Sequence, residues 1–355
     1  MKVCFLVGEI FEWGKYGGFG FLTRKIGSEL ALRGIEVSII VPLGVGQNRI
    51  ENLDGMTVFG YEGGEWGQLK EILKNIDVDV FHSQEPNLAT YIAKKIRPEK
   101  KHVTTFQDPR GLWDWWNEFQ YSNLSKKRAF PGMIRFEFAY NPCIRLGVLM
   151  QDGLFCQAKY IREVSQRIYG LNKKPLFLPN PIDVPDLIIE KADRPTVCFL
   201  ARWDRRKRPW IFIELARKFP EIDFLMGGRP DENILKKHPI PKNLKLLGLI
   251  QGKEKEFILS RSWAMINTST RECLPVSFLE ASAYKCAIIS SVDPDKFATD
   301  FGFLVENDDY DSALKKMIEG DWKIKGEAGH SYVKKIHETK KVIDQHLDVY
   351  KGLLV

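Results

Sequence analysis

The sequence predicts an α/β protein with two parallel-sheet domains. Three observations carry that prediction. Apolar runs of strand length alternate with helical patterns along most of the chain, the pattern of strand–helix–strand units. A proline-rich stretch, Pro179-Asn180-Pro181-Ile182-Asp183-Val184-Pro185, breaks the rhythm near the middle, and the alternation restarts at Thr196. The 355 residues are enough for two sizeable cores. The expected division is 1–180, 181–330, and a closing helix within 331–355 that packs across both domains.

The first domain opens with a continuous apolar run over 3–7, as expected of a strand buried on both faces. A long loop, 8–17, leads to Gly17, Gly18 and Gly20. A helix follows, with Leu22, Ile26, Leu30 and Leu32 on its apolar side and Gly34 closing it. Strands are expected over 37–41, 78–81 and 103–106, with a helix near 88–96 between the last two. The glycines do not make a dinucleotide fingerprint. The loop before them is too long for the tight turn, Thr23 stands at the third glycine position, and the second strand ends in Val41-Pro42 with no acid for a ribose. They remain places where backbone can approach a phosphate, or simple turns.

Residues 107–140 interrupt the alternation. Trp113, Trp115, Trp116, Phe119, Tyr121, Phe130, Phe136, Phe138 and Tyr140 lie there, around Lys126-Lys127-Arg128. So many aromatics argue against disorder. Three roles stay open: stacking on sugars, contact with a lipid interface, or a packed lid. Strand character resumes at 154–155 and 176–178.

In the second domain, strands are expected over 197–200, 222–226, 244–247 and 263–266, with a helix near 210–219. Two loops at the C-terminal ends of these strands carry chemistry. Loop 202–208 holds Arg202, Arg205, Arg206, Lys207 and Arg208, a density of cations that suits a diphosphate. The other loop holds Glu272 and leads into an apolar helix. Pro275 suits the first turn of that helix, and Glu280 lies in its middle. A buried carboxylate there requires a partner, and a helix start nearby can receive an anion.

Composition narrows the classes. The net charge of +7 is spread among interspersed acids and bases, so a nucleic-acid tail is excluded. The excess suits an anionic substrate, an anionic membrane surface or an ordinary surface equally well. The six cysteines show no CxxC spacing or disulfide framework, which points to a reducing cytoplasm. The six histidines lack zinc-ligand spacing, and no metal or cofactor is expected. No apolar run reaches membrane-spanning length, and the N-terminus enters a strand directly, so no signal peptide is expected.

Five motifs in order now resemble a family, the GT-B glycosyltransferases and within them the retaining family 4. Gly17-Gly18 with the following helix looks like the family's N-terminal glycine loop. Asp79-Val80-Phe81-His82 is similar to its Asp-Val-x-His strand, and Pro179-Asn180-Pro181-Ile182-Asp183 to its interdomain Pro-Asn-Gly-Val-Asp. Arg202 and Lys207 fall at the basic positions of its Gly-Arg-x4-Lys loop, and Glu272 and Glu280 on its Glu-x7-Glu motif.

The resemblance implies a GT-B fold, two Rossmann-like domains facing across a cleft, and a metal-independent retaining transferase. The donor would be a nucleotide-diphosphate sugar. The acceptor would be a saccharide or a lipid-linked molecule, with peripheral contact at the inner face of a membrane. By the resemblance, Arg202 and Lys207 bind the diphosphate, assisted by backbone N–H groups of Gly17, Gly18, Cys273, Leu274 and Val276. Glu280 takes the ribose hydroxyls, and Glu272 lies by the donor sugar as a catalytic residue. Gln107 stands where the family usually has a histidine beside that sugar, and by the resemblance it is the second catalytic residue, positioning the reacting centre. Cys273, Lys285, Ala287 and Ala201 also depart from the family pattern. Two alternatives follow from these departures: a non-catalytic relative that binds a sugar nucleotide or another protein chain, and a sugar-nucleotide epimerase.

Overall fold

The computed structural model describes residues 1–111, 114–116, 134, 136–186 and 188–355. The chain forms two compact units. The first comprises Met1–Pro181 with Lys340–Val355, and the second Ile182–Thr339.

The first unit is built on an eight-stranded sheet. Its strands are β1 (Lys2–Leu6), β2 (Glu36–Pro42), β3 (Ile50–Leu53), β4 (Met56–Tyr61), β5 (Val80–Gln84), β6 (Lys101–Phe106), β7 (Gly153–Cys156) and β8 (Leu176–Phe177). They lie in the order β3-β4-β2-β1-β5-β6-β7-β8. All neighbours are parallel except β3 and β4, a hairpin whose turn holds Asp54 and Gly55 at positive φ. Strand order runs outward in both directions from β1 and β5, so the sheet reverses between them. Along β1, Val3 and Phe5 face one core while Cys4 and Leu6 face the other, as a strand covered on both sides requires.

The chain's last helix, Thr339–Leu354, closes one of those cores. Its Ile343 and Tyr350 are fully buried in it, and the Tyr350 hydroxyl lies 2.7 Å from His82 Nδ1. The other nitrogen of His82 lies 2.8 Å from the Thr105 hydroxyl. Burial of this ring without a charged partner, with His346 nearby, holds its pKa well below the ordinary histidine value.

The second unit has six parallel strands: β9 (Thr196–Leu200), β10 (Asp223–Gly227), β11 (Leu244–Gly248), β12 (Ala264–Asn267), β13 (Ala287–Ser290) and β14 (Gly302–Leu304). Their order is β11-β10-β9-β12-β13-β14, and the reversal falls between β9 and β12. Phe199, Phe212 and Phe224 form the centre of its core, and Trp263 stacks on Trp322 with centroids 4.6 Å apart.

Two expectations are corrected. The single closing helix is two helices, Trp322–Ile336 and Thr339–Leu354. The break follows from pairing with the connector: Ile182 N–H donates to the His337 carbonyl at 2.7 Å, and Thr339 N–H returns the bond to Ile182 at 3.1 Å. The Thr339 hydroxyl also donates to Asp183 at 2.7 Å. Pro275 lies one residue before its helix, as the extended N-cap, and Val276 opens the first turn. Among the described residues no helix is long and apolar enough to cross a membrane.

Candidate functional site

In the second unit the loops leaving β9 and β12 meet at the strand-order reversal, where open α/β sheets bind ligands. Asp204 turns the first loop by accepting the Lys207 N–H on its carbonyl (3.1 Å) and its carboxylate (3.0 Å). The second loop is tied to it. The Thr268 hydroxyl donates to the Lys207 carbonyl (2.5 Å), and Thr270 N–H donates to the Arg206 carbonyl (3.0 Å). Arg208 donates to the Thr268 carbonyl at 2.6 Å and grips Asp308 with both terminal nitrogens, at 2.7 and 2.9 Å.

This stitching brings Lys207 onto Glu272 in a hydrogen-bonded ion pair whose side chains are only 13% and 11% exposed. Burial pushes the Glu272 carboxyl up, but Lys207, the Ser269 hydroxyl and Arg206 together hold it below the ordinary carboxylate value. Glu272 is therefore an anion at neutral pH, and Lys207 its nearest countercharge. Arg202 stands differently. Its side chain is 69% exposed, and its contact with Asp204 is long, at 3.8 Å.

Glu280 projects from helix Val276–Ala283 and meets Lys255 of helix Gly252–Arg261 at 2.6 Å. The partner that a carboxylate in an apolar helix demands is thus a lysine that no sequence motif marked. Before that helix, Leu274 is buried and Cys273 half-buried.

The sequence-predicted residues of the first unit lie at its own reversal. Gly17 caps helix Gly18–Leu32, and the Glu9 carboxylate sits against the start of that helix, accepting the Gly20 N–H at 3.3 Å. A β-carbon on Gly17 would collide with Glu9 Oε1, and one on Gly20 would come within 2.7 Å of Phe11 N. These glycines accommodate loop 8–17. Gln107 is 1% exposed and its side chain is engaged within the unit. Its Nε2 donates to Gln84 Oε1 (2.9 Å) and Asn180 Oδ1 (3.1 Å), and its Oε1 accepts from Asn180 Nδ2 (3.0 Å).

Glu85 was not singled out by the sequence. It follows β5 with a left-handed φ of 82°, a strained choice for a side chain with a β-carbon. One oxygen, Oε2, accepts the N–H groups of Gln107 (2.5 Å) and Asp108 (2.6 Å). Burial nevertheless raises its pKa to about 8, against the pull of those two donors. The available signal was position alone: an acid just past a buried strand at the C-terminal edge of a parallel sheet.

In the aromatic segment, Trp113, Phe119, Tyr121 and Phe130 lie outside the described residues. Trp115 carries the Arg110 guanidinium 5.1 Å from its ring centroid, and Phe138 is exposed.

Comparison with known proteins gives this geometry a context. Residues 188–319 match the family model described as glycosyl transferases group 1. One component of the human phosphatidylinositol N-acetylglucosaminyltransferase is 24% identical over 126 residues, 32% of this chain; the match spans about a quarter of that protein (26%). A sucrose-phosphate synthase from Thermosynechococcus elongatus superimposes with a TM-score of 0.77 at 14% identity, over 99% of both chains. The catalytic domain of starch synthase IV from Arabidopsis thaliana, bound to ADP and acarbose, does so with a TM-score of 0.62 at 12% identity, over 99% of this chain and 98% of that one. The chain has the fold of the GT-B glycosyltransferases, and residues 188–319 of its second unit are similar to the glycosyl transferases group 1.

Proposed function

We propose that the protein transfers a sugar from a nucleotide-diphosphate sugar to an acceptor hydroxyl, with retention of configuration and without a divalent metal. The observation that carries the proposal is the cationic loop after β9, held against Glu272 at the strand-order reversal. Arg202 and Lys207 neutralise the diphosphate and stabilise it as a leaving group, as preorganised charge does best in a site that excludes water. Backbone N–H groups of Cys273, Leu274 and Val276 add donors. Glu280, steadied by Lys255, takes the ribose hydroxyls. Glu272 orients the donor sugar, and its negative charge favours positive character at the anomeric carbon.

In the transfer itself the acceptor oxygen bonds to the anomeric carbon as the bond from that carbon to the phosphate oxygen breaks. The electron pair leaves with the phosphate, and the acceptor's proton passes to that same oxygen. No side-chain base is required. Gln107, engaged by Gln84 and Asn180, supports the step by holding the end of β6 in place. A lipid-linked acceptor fits the exposed Leu146, Leu149 and Phe138, and the similarity to a transferase whose name includes phosphatidylinositol. The cytoplasmic side of a membrane is the compartment that fits six cysteines with no disulfide among them.

The test measures nucleoside diphosphate release from a panel of UDP-, GDP- and ADP-sugars, with and without liposomes, saccharide acceptors and EDTA. Release that persists in EDTA and rises with acceptor is expected. Nucleotide binding with no release under any condition would favour a non-catalytic binding protein. Loss of release in EDTA, restored by manganese, would refute metal independence.

A further inference from the structure

The cationic loop of the second unit ends in Arg208, a residue to which the proposed transfer gives no role. We propose that Arg208 is a positioning residue: its guanidinium latches the end of the loop to Asp308 and thereby holds Lys207 on Glu272. The proposal rests on the transferase reading only where it extends to nucleotide affinity.

The latch crosses four neighbouring strand ends. Arg208 belongs to the loop after β9, and its Nε donates to the carbonyl of Thr268, just past β12, at 2.6 Å. Nη1 donates to Asp308 Oδ2 at 2.7 Å, and Nη2 to Asp308 Oδ1 at 2.9 Å and to Ser291 Oγ at 3.3 Å. Ser291 follows β13, and Asp308 lies in the turn after β14. The Tyr310 hydroxyl closes the network, donating to the Asn267 carbonyl at 3.1 Å and lying 2.9 Å from Ser291 Oγ. Strands β9, β12, β13 and β14 stand side by side in that order. One side chain therefore laces the sheet edge from which both the cationic loop and the Glu272 loop depart.

The backbone is strained at both ends of the latch. Arg208 adopts φ 46° and ψ 52°, and Asp308 a φ of 58°. Both are left-handed, where a β-carbon is crowded. Such residues persist only where their surroundings over-determine them, and a two-point ion pair does so here. With both terminal nitrogens on Asp308 and a side chain only 15% exposed, Arg208 acts through its neighbour rather than on a phosphate itself. The Thr268 hydroxyl ties the two together, donating to the Lys207 carbonyl at 2.5 Å and to the Arg208 carbonyl at 3.1 Å. Holding Arg208 thus holds the root of the Lys207 side chain. A lysine on its flexible stem stays on one carboxylate only while the backbone beneath it is fixed.

The test measures the coupling of Lys207 to Glu272 as a double-mutant cycle of Lys207→Ala and Glu272→Ala, in urea unfolding of the full chain. The cycle is then repeated with Arg208→Gly. Glycine accepts the left-handed backbone, so this change removes the latch without adding strain. The coupling is expected to fall by at least about half. Asp308→Asn keeps an oxygen acceptor but no charge; it should lower the coupling by less, and it decides the matter if Arg208→Gly does not fold. A purely structural Arg208 would lower stability equally in every member of the cycle and leave the coupling intact, a result that would overturn the proposal. Calorimetry with UDP, GDP and ADP adds a second arm. Arg208→Gly should weaken the tightest of the three by about fivefold, and by less than about twofold in the Lys207→Ala background. An equal loss in both backgrounds would mean that Arg208 acts independently of Lys207, and would also overturn it. A wild type that binds none of the three nucleotides while the coupling falls as expected would overturn the transferase reading alone.

Discussion

The two strand-order reversals use one topology for opposite chemistry. At the first, the facing side chains are acids and neutral amides, and two buried polar atoms have no partner among the described residues. At the second, cations and acids are matched in pairs, Lys207 with Glu272 and Lys255 with Glu280. A parallel sheet places loop residues at its C-terminal edge whatever they are. The side chains then decide what charge that edge presents. A paired site can receive a diphosphate only by sharing its cations.

Removing Lys207 should have the largest effect, because it breaks a pair that is almost wholly buried. Lys207→Ala is expected to weaken nucleoside diphosphate binding by more than tenfold in calorimetry. It should also destabilise the fold by about 3 kcal/mol, since Glu272 loses its nearest countercharge. The pH dependence follows from the sign of the shift. Glu272 is held below its ordinary pKa, so its contribution is present above that ordinary value and is lost as pH falls through the lowered one. Without Lys207 the burial that pushes Glu272 up is opposed less, and acid unfolding should begin at a higher pH. Wild-type acid unfolding and wild-type nucleotide affinity in the variant would show the pairing to be incidental.

Lys255→Met tests the second pair, whose side chains are 24% and 16% exposed. Partial solvation lowers the stakes, and a loss of about 1–2 kcal/mol is expected in denaturant titration. If Lys255 steadies Glu280 for the ribose, nucleotide affinity should fall more than stability does. Equal affinity in the two proteins would assign Lys255 to the scaffold.

Much of this was legible in the sequence, and the gaps have physical causes. Continuous apolar runs marked β1, β2, β6, β9 and β12 because a strand buried on both faces has no other option. The hairpin of β3 and β4 escaped notice because β3 is short and has no buried residue, although Asp54-Gly55 is a hairpin signal. The sequence reading put Arg202, Lys207 and Glu272 on loops that follow strands and Glu280 within a helix, where the structure has them. It could not show that Lys207 and Glu272 touch, because that contact depends on Thr268 and Thr270 stitching two loops more than sixty residues apart in sequence. The resemblance puts Gln107 beside a sugar, and the structure gives its amide to Gln84 and Asn180, partners that only the fold reveals. Glu85 carried no motif at all.

At the first reversal, Glu85 gives a pH signature of opposite sign. Its pKa is raised from the ordinary value to about 8, so the fold favours the protonated form. The stability this contributes is complete below the ordinary carboxylate pKa and is lost as pH rises through about 8. Denaturation midpoints of the wild type should therefore fall between about pH 4.5 and pH 8 relative to those of Glu85→Gln, and level off above that. Parallel midpoint curves would mean that Glu85 is ionised throughout and that its two backbone donors outweigh its burial.

The smallest effect is expected at Lys285, in the turn after the helix that carries Glu280. Lys285 adopts a φ of 58°, where glycine is at ease and a β-carbon is not. The family it resembles usually has glycine there. Strain at a left-handed residue is roughly 1–2 kcal/mol. Two things offset its relief in Lys285→Gly. Glycine loses more conformational freedom on folding, by about 0.5–1 kcal/mol, and the exposed ion pair with Glu327 at 2.8 Å disappears, worth under about 1 kcal/mol. At mid-range values of the three the net gain is about 0.25 kcal/mol. Making the change in a Glu327→Gln background removes the ion pair from both sides of the comparison, so the gain should be larger there. Nucleotide affinity should stay unchanged in both backgrounds, because the Lys285 side chain bonds to Glu327, away from Glu280 and Lys255. A gain in stability accompanied by a change in affinity would mean that the turn sets the position of the helix bearing Glu280, and that strain at Lys285 belongs to the binding site.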